Sequence, residues 1–305
     1  MKKRFHSGFV AVLGRPNVGK STFVNQLVRQ KVAIVTSKPQ TTRNRILGII
    51  NRPHAQLVLI DTPGIHRATN VLGRQMMAEV GQAIEGIDLL AVMIDASSGL
   101  TAGDRLSFEY ARQFDRPVFL LLNKIDRIAK PALLPLIQAC SKEMTFAEIM
   151  PISALTGDGV ELALERFVAH LPEGAAYFPK DQLTDQPERV LAGEIIREKV
   201  MTNTEQEVPH AVAVRVDTFE EGRRLIRIRA SIFVERQGQK GILIGRRGER
   251  MKAIGTAARE ELEQILGVQI FLELRVKVQR DWRQNARIIQ QLDWRSQLER
   301  LGTHD

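Results

Sequence analysis

The chain has 305 residues, 44% of them hydrophobic, enough for two domains with full cores. Its formal charge of +9 favours polyanionic partners such as nucleic acid or acidic lipid. The single cysteine, Cys140, excludes an intramolecular disulfide and any multi-cysteine metal site, and its apolar-periodic setting reads as core packing.

The N-terminus, Met1-Lys2-Lys3-Arg4, runs directly into a strand at 8–13 with no apolar signal core. No apolar run is long enough to span a bilayer, so a cytoplasmic location with at most peripheral membrane contact is expected. Compact apolar runs at 9–13, 57–60, 89–94 and 118–122 read as strands buried on both faces. Helical patterns lie between or after them at 20–28, 76–85, 104–114, 131–140 and 159–170. That alternation predicts a doubly wound α/β domain with a mostly parallel sheet over 1–172. Residues 173–189, with Pro179 and Pro187, read as a linker. The remainder, 190–305, changes grammar: a helix at 188–201, strands at 211–217 and 224–234, a glycine-rich turn, a helix at 249–266 and a strand at 268–278. The tail at 281–301 reads as helical, and this half is α+β.

The strongest motif is Gly14-Arg15-Pro16-Asn17-Val18-Gly19-Lys20-Ser21, a full G-x-x-x-x-G-K-[ST] between a strand and a helix. The glycines let backbone N–H groups curl toward phosphate oxygens, and the helix aims its positive end at the same place. Lys20 supplies a charge near the β- and γ-phosphates, and Ser21 a hydroxyl for Mg²⁺. Asp61-Thr62-Pro63-Gly64 ends a strand; its carboxylate suits Mg²⁺ and the Gly64 amide suits the γ-phosphate. Asn123-Lys124-Ile125-Asp126 ends another, and Asp126 can accept the adjacent N1–H and N2–H donors that guanine has and adenine lacks. Ser153-Ala154-Leu155 follows an apolar run and can support the guanine carbonyl. Each motif sits at a strand's C-terminal end, where such sheets bind ligands. In the loop Gln40-Thr41-Thr42-Arg43-Asn44, Thr42, with Thr41 in reserve, is the threonine expected to close on Mg²⁺ and the γ-phosphate. The expected metal set is therefore Ser21, Thr42 and Asp61.

In the second half, Gly241-Ile242-Leu243-Ile244-Gly245-Arg246-Arg247-Gly248 contains a G-x-x-G turn between an apolar strand end and a helix. Such a turn clamps a nucleic-acid backbone in KH domains. Arg246 and Arg247 supply charge, and Ile242 and Ile244 are expected to line a groove for unstacked bases. Residues 223–283 carry 15 Lys and Arg against 7 Asp and Glu, a net of +8, whereas the part from Glu173 onward nets only +2. Arg227 and Arg229 read as a solvated sheet face, and Trp282 and Trp294 as core.

The Gln40-Thr41-Thr42-Arg43 string, the P-loop and this second domain together resemble the Era family of translation-factor-related GTPases, with a type II KH domain. The resemblance spans about residues 8–283. It implies a GTPase that cycles between GTP and GDP and binds single-stranded 16S ribosomal RNA near its 3′ end. It further implies a role in small-subunit assembly, peripheral contact with the inner membrane and a monomeric state. Ile65 stands where many GTPases place a water-orienting glutamine, so slow hydrolysis is implied. Asn17 matches an asparagine associated in related GTPases with bound K⁺, although loop hydrogen bonding would also account for it. The rival reading is a membrane-linked GTPase signalling switch whose KH-like half binds protein or lipid.

Overall fold

The computed structural model describes residues 4–205 and 208–292. The described chain divides into two compact units. The first runs through Gln186, except for Thr36–Lys38 and Ala68–Arg74, which group with the second, beginning at Pro187.

The first unit contains β1 (His6–Leu13), α1 (Lys20–Val28), β2 (Ile46–Arg52), β3 (Ala55–Asp61), α2 (Val71–Ala83, from Gln75 onward) and β4 (Leu89–Asp95). It continues with α3 (Ala102–Ala111), β5 (Val118–Asn123), α4 (Leu133–Glu143), β6 (Glu148–Pro151) and α5 (Val160–His170). The six-stranded sheet has the order β2-β3-β1-β4-β5-β6. Only β2 is antiparallel to its neighbour. Both faces are covered. Val10, Val12, Leu57, Leu59, Phe119 and Leu121 pack on one side with Phe23 of α1 and Phe167 of α5. Ala11, Leu13, Leu90, Val92, Leu120 and Leu122 pack on the other with Val80 of α2, Phe108 of α3 and Cys140 of α4. Alternate residues of one strand thus enter different cores, which is why the strands read as continuous apolar runs.

The sequence pattern does not announce β2, which begins at the end of a polar loop and whose apolar run is interrupted by Gly48, although the strand itself is continuous. As the sheet edge, β2 would leave a row of backbone groups unpaired. Residues 173–186, expected as linker, supply partners for that edge. On β2, Ile49 N–H donates to Leu183 O at 2.9 Å, and the same segment reaches the start of β1, where Gly174 N–H donates to Phe5 O at 3.1 Å. Leu47 N–H donates to Asp185 Oδ1 at 3.2 Å. Buried Gln56 accepts from Tyr177 N–H and Phe178 N–H at 2.7 and 2.9 Å. The segment is therefore a strap on the first unit, its one proline, Pro179, favouring an extended path at the residue before it.

The second unit contains α6 (Glu188–Thr202), β7 (Ala213–Glu221), β8 (Leu225–Val234), α7 (Gln237–Ile244), α8 (Glu249–Leu266), β9 (Gln269–Val278) and α9 (Ala286–Leu292). Its sheet is β7-β8-β9, antiparallel then parallel. Ile226, Ile228, Ala230 and Ile232 of β8 bury against Ile195 and Ile196 of α6, Leu243 of α7 and Ile254, Ala258 and Leu262 of α8. Arg227 and Arg229 are exposed, as a one-sided sheet requires. Trp282 is buried and donates Nε1–H to Ala211 O at 2.8 Å. Trp294 and the helical reading of 293–301 lie outside the described residues.

Helix α7 corrects the sequence reading, which placed an apolar strand end there. Gly238 and Gly241 disguise it, because glycine is a poor helix former. Its start is secured instead by Gln239, whose Oε1 accepts the Glu235 and Arg236 N–H groups at 2.9 and 3.0 Å. Leu243 anchors its apolar side.

Candidate functional site

The loop between β1 and α1 has the curl its glycines allow. Gly19 precedes α1 at φ 107°, and Asn17 also has positive φ, 65°. Lys20 folds back under the loop, donating to Gly14 O at 2.9 Å and Arg15 O at 3.2 Å. Burial pushes its ammonium down to about 8, against the pull of Asp61 and with a smaller push from Arg15.

Three oxygen side chains from three separate segments meet beside it. Ser21 Oγ donates to Asp61 Oδ2 at 2.6 Å and lies 2.9 Å from Thr42 Oγ1. Thr42 Oγ1 is 3.4 Å from the same Asp61 oxygen. Asp61 Oδ1 is buried without a partner among the described residues. Burial raises the Asp61 carboxyl above its usual range, although Lys20 and the two hydroxyls pull it back. A buried, half-satisfied carboxylate with two hydroxyls is a hard-oxygen donor set, and it fits a small divalent cation. Thr42 is thus the threonine brought to the cluster; Gln40, Thr41, Arg43 and Asn44 flank it.

Thr62 Oγ1 donates to Val12 O at 2.6 Å, tying the end of β3 to β1. Gly64 packs so closely on the loop that an added Cβ would lie 2.7 Å from Pro16. Pro63 is buried between them in sequence, and Ile65 is buried with its N–H donating to Gly14 O at 3.0 Å. The position that could orient water is therefore an apolar side chain turned into the core.

The guanine motif is assembled at the next strand ends. Asn123 Nδ2 donates to Val18 O at 2.7 Å, and its Oδ1 accepts Ala154 N–H at 2.9 Å. Asp126 Oδ1 accepts from Ser153 Oγ at 2.6 Å, which orients the carboxylate. Lys124 reaches Asn17 O at 2.8 Å. Ile125 N–H donates to Ile152 O at 3.3 Å, and Leu155 is 70% exposed beside them. The structure brings all four nucleotide motifs to one sheet edge.

In the second unit, Gly245 (φ 73°), Arg247 (φ 49°) and Gly248 (φ 82°) make a tight left-handed turn into α8. Arg246 and Arg247 are exposed and have no protein partner among the described residues. Arg250 staples the turn by donating to Ile242 O at 2.7 Å. Beside it lies a groove of about 440 Å³ lined by Ile244, Gly248, Met251, Lys252, Arg259 and, from β9, Leu272 and Leu274 among others. Gly241 and Ile242 do not line it: on helix α7 they turn to solvent, Ile242 being 38% exposed. Lys252, Arg259 and the two β9 leucines were not singled out in the sequence. The helical spacing of Met251, Lys252 and Gly255 after the turn was the available signal.

A P-loop site reading guanine, joined to a KH-type unit, defines an RNA-binding GTPase. Comparison with known proteins agrees. The family model described as 50S ribosome-binding GTPase matches residues 9–124, and the KH domain model matches 207–283. GTPase Era from Ruminiclostridium cellulolyticum is 47% identical over 293 residues, 96% of this chain and 98% of the relative. GTPase Era from Syntrophus aciditrophicus is 47% identical over 292 residues, 95% of each. Among solved structures, Era in complex with MgGDPNP and nucleotides 1506–1542 of 16S ribosomal RNA superposes with a TM-score of 0.93 at 40% identity, covering 95% of this chain and 99% of that one. A variant of Aquifex aeolicus Era bound to GDP.AlF4⁻ gives 0.91, also at 40% identity, with the same coverage. The chain belongs to the Era family of GTPases.

Proposed function

We propose that the chain binds GTP with Mg²⁺, hydrolyses it slowly to GDP and phosphate, and grips single-stranded RNA at the 3′ end of 16S ribosomal RNA in small-subunit assembly. The observation that carries the nucleotide half is the convergence of Ser21, Thr42 and the half-satisfied Asp61 beside Lys20. Ser21 and Thr42 would hold Mg²⁺, with Asp61 acting through a bound water. The ion would offset the charge that develops on the transferring phosphoryl group. The backbone from Gly14 to Gly19 wraps the phosphates, Lys20 moves from its carbonyl partners onto them, and Gly64 N–H faces the γ-phosphate. Asp126 accepts the guanine edge, and the Ala154 amide meets its carbonyl. Asn17 is the residue that would serve a K⁺ ion. Hydrolysis is slow because Ile65 offers water no hydrogen bond.

On the RNA half, Arg246 and Arg247 meet phosphates while bases lie in the Ile244–Leu274 groove. The superposed Era complex holds both ligand classes in one chain. Cytoplasmic location with peripheral inner-membrane contact and a monomeric state belong to the same proposal. Among the described residues no helix is long and apolar enough to cross a membrane.

The test is phosphate release measured with GTP and with ATP, with and without Mg²⁺, and with and without an oligonucleotide of the 16S 3′ end. Slow, Mg²⁺-dependent release from GTP alone, with salt-sensitive RNA binding, is expected. Equal turnover of ATP sinks the guanine assignment, and no RNA binding at low salt sinks the second half.

A further inference from the structure

The turn between β4 and α3 carries chemistry that the nucleotide motifs leave unused. It reads Asp95-Ala96-Ser97-Ser98-Gly99-Leu100-Thr101 and leads through α3 to Asp104. Asp95 and Asp104 are both buried, and each divides its two oxygens in the same way. Asp95 Oδ1 caps its own turn, accepting Ser97 N–H at 3.0 Å and Ser97 Oγ–H at 2.6 Å. Its Oδ2 accepts from Lys124 Nζ at 2.6 Å. Asp104 Oδ2 closes the capping box of α3, accepting Thr101 N–H at 2.9 Å and Thr101 Oγ–H at 2.6 Å. Its Oδ1 accepts from Arg15 Nε at 3.2 Å. Ser98 joins the two, donating to Asp95 O at 3.0 Å and accepting from Arg15 Nη2 at 2.5 Å.

A carboxylate needed only as a cap spends its oxygens on the turn it caps. Here one oxygen of each is kept for a basic side chain of the nucleotide site. Those side chains hold the P-loop at two points: Arg15 is part of it, and Lys124 also donates to Asn17 O at 2.8 Å. The second of these points, Asn17, has a positive φ, which is uncommon for residues other than glycine. Such a backbone persists only when its surroundings over-determine it.

We propose that Asp95 and Asp104 are positioning residues for nucleotide binding: through Lys124 and Arg15 they brace the P-loop in its phosphate-binding curl, with Ser98 as the link between the two arms. This rests on the reading of the P-loop as the GTP site. The segment 95–104 is then the lever by which nucleotide release is set. The net shift of Asp95 agrees: burial pushes its carboxyl up, but bonds from Lys124 and Ser97 outweigh that and hold it below the usual range.

Asp95→Asn and Asp104→Asn test this, because asparagine keeps one acceptor for the cap but turns an N–H toward the basic partner. Release of a fluorescent GDP analogue, chased with GDP, is measured for each full-length variant. About a tenfold faster release is expected for each, the loss of one charge-assisted contact. Competition by guanosine, which has no phosphate, should be unchanged in Asp104→Asn, whereas a merely structural defect would weaken both ligands. Adding Asp104→Asn to Arg15→Ala should have no further effect. Ser98→Ala, which touches neither cap oxygen, should speed release by a smaller factor and covers the case of a variant that fails to fold. Unchanged release in Asp95→Asn, Asp104→Asn and Ser98→Ala, or additivity with Arg15→Ala, overturns the brace. Failure of the unaltered protein to hold GDP would instead overturn the nucleotide site itself.

Discussion

The nucleotide loop and the RNA turn are both glycine loops that open a helix, yet they hold their positive charge in opposite ways. Lys20 is buried and already bonded to two loop carbonyls, while Asp61 and two hydroxyls wait beside it. Arg246 and Arg247 stand exposed with no partner among the described residues. The first arrangement suits one small ligand read by geometry, because a desolvated group interacts strongly with whatever is placed against it and is costly to leave unmatched. The second suits a long polyanion met by diffusion, because exposed charge acts over about a Debye length and fades with salt.

The harshest way to break this contrast is Lys20→Ala. It removes the one ammonium inside the loop, and GTP affinity should fall by on the order of 100-fold or more, about 2.7 kcal/mol. RNA affinity, measured on the same protein without nucleotide, should not change. A titration showing intact GTP binding would mean that the backbone cage alone carries the phosphates.

Asp126→Asn comes next. An amide offers a donor where guanine N1–H and N2–H need an acceptor, so preference for guanine over xanthine should drop by on the order of 100-fold. Competition between GTP and xanthosine triphosphate reads it directly. Persisting guanine preference would transfer the base-reading role elsewhere.

For the RNA turn, replacing Arg246 and Arg247 by alanine should weaken a 16S 3′-end oligonucleotide by on the order of tenfold at low salt. More telling is the slope of log affinity against log salt, which should lose about 1.4 if both arginines contact phosphate on a single strand. GTP turnover without RNA should be unaffected. An unchanged slope would place the RNA contact elsewhere on the unit.

How much of this was legible in the sequence follows from the same contrast. The P-loop, Asp61 and Asp126 could be read in advance because each is a short local motif at the end of a buried strand. Thr42 was found by its place in that order, and the structure sets it 2.9 Å from Ser21. The brace was not legible: Asp95 and Asp104 look like ordinary turn and cap residues until the fold brings Lys124 and Arg15 to their second oxygens. The RNA groove was half legible. Its turn is local, but Leu272 and Leu274 arrive on β9 through parallel pairing with β8, which no local pattern announces. Two glycines concealed α7, so Ile242 was assigned to the groove when it faces solvent. The 173–186 strap was misread because proline and low periodicity describe a linker and an edge-covering segment equally well.

The smallest effect tests whether the nucleotide unit is as closed as its partnered site suggests. Cys140 is the chain's one cysteine and lies in that unit's core. Burial, with lesser contributions from Asp104 and Glu143, pushes its thiol up from 9.0 to about 11. The unfolded chain therefore loses this proton at lower pH than the folded one. The resulting stability is fully present below about pH 9 and fades as pH rises toward 11, a slope that Cys140→Ala should remove. At pH 8 the folded thiol should react with a thiol reagent on the order of 100-fold slower than in urea, from its thiolate fraction alone. Trp282, buried in the other unit, provides a separate reading by fluorescence. Rapid labelling while tryptophan emission stays native would show the first unit opening by itself. Its short-range network would then be no more permanent than the exposed arginines it was contrasted with.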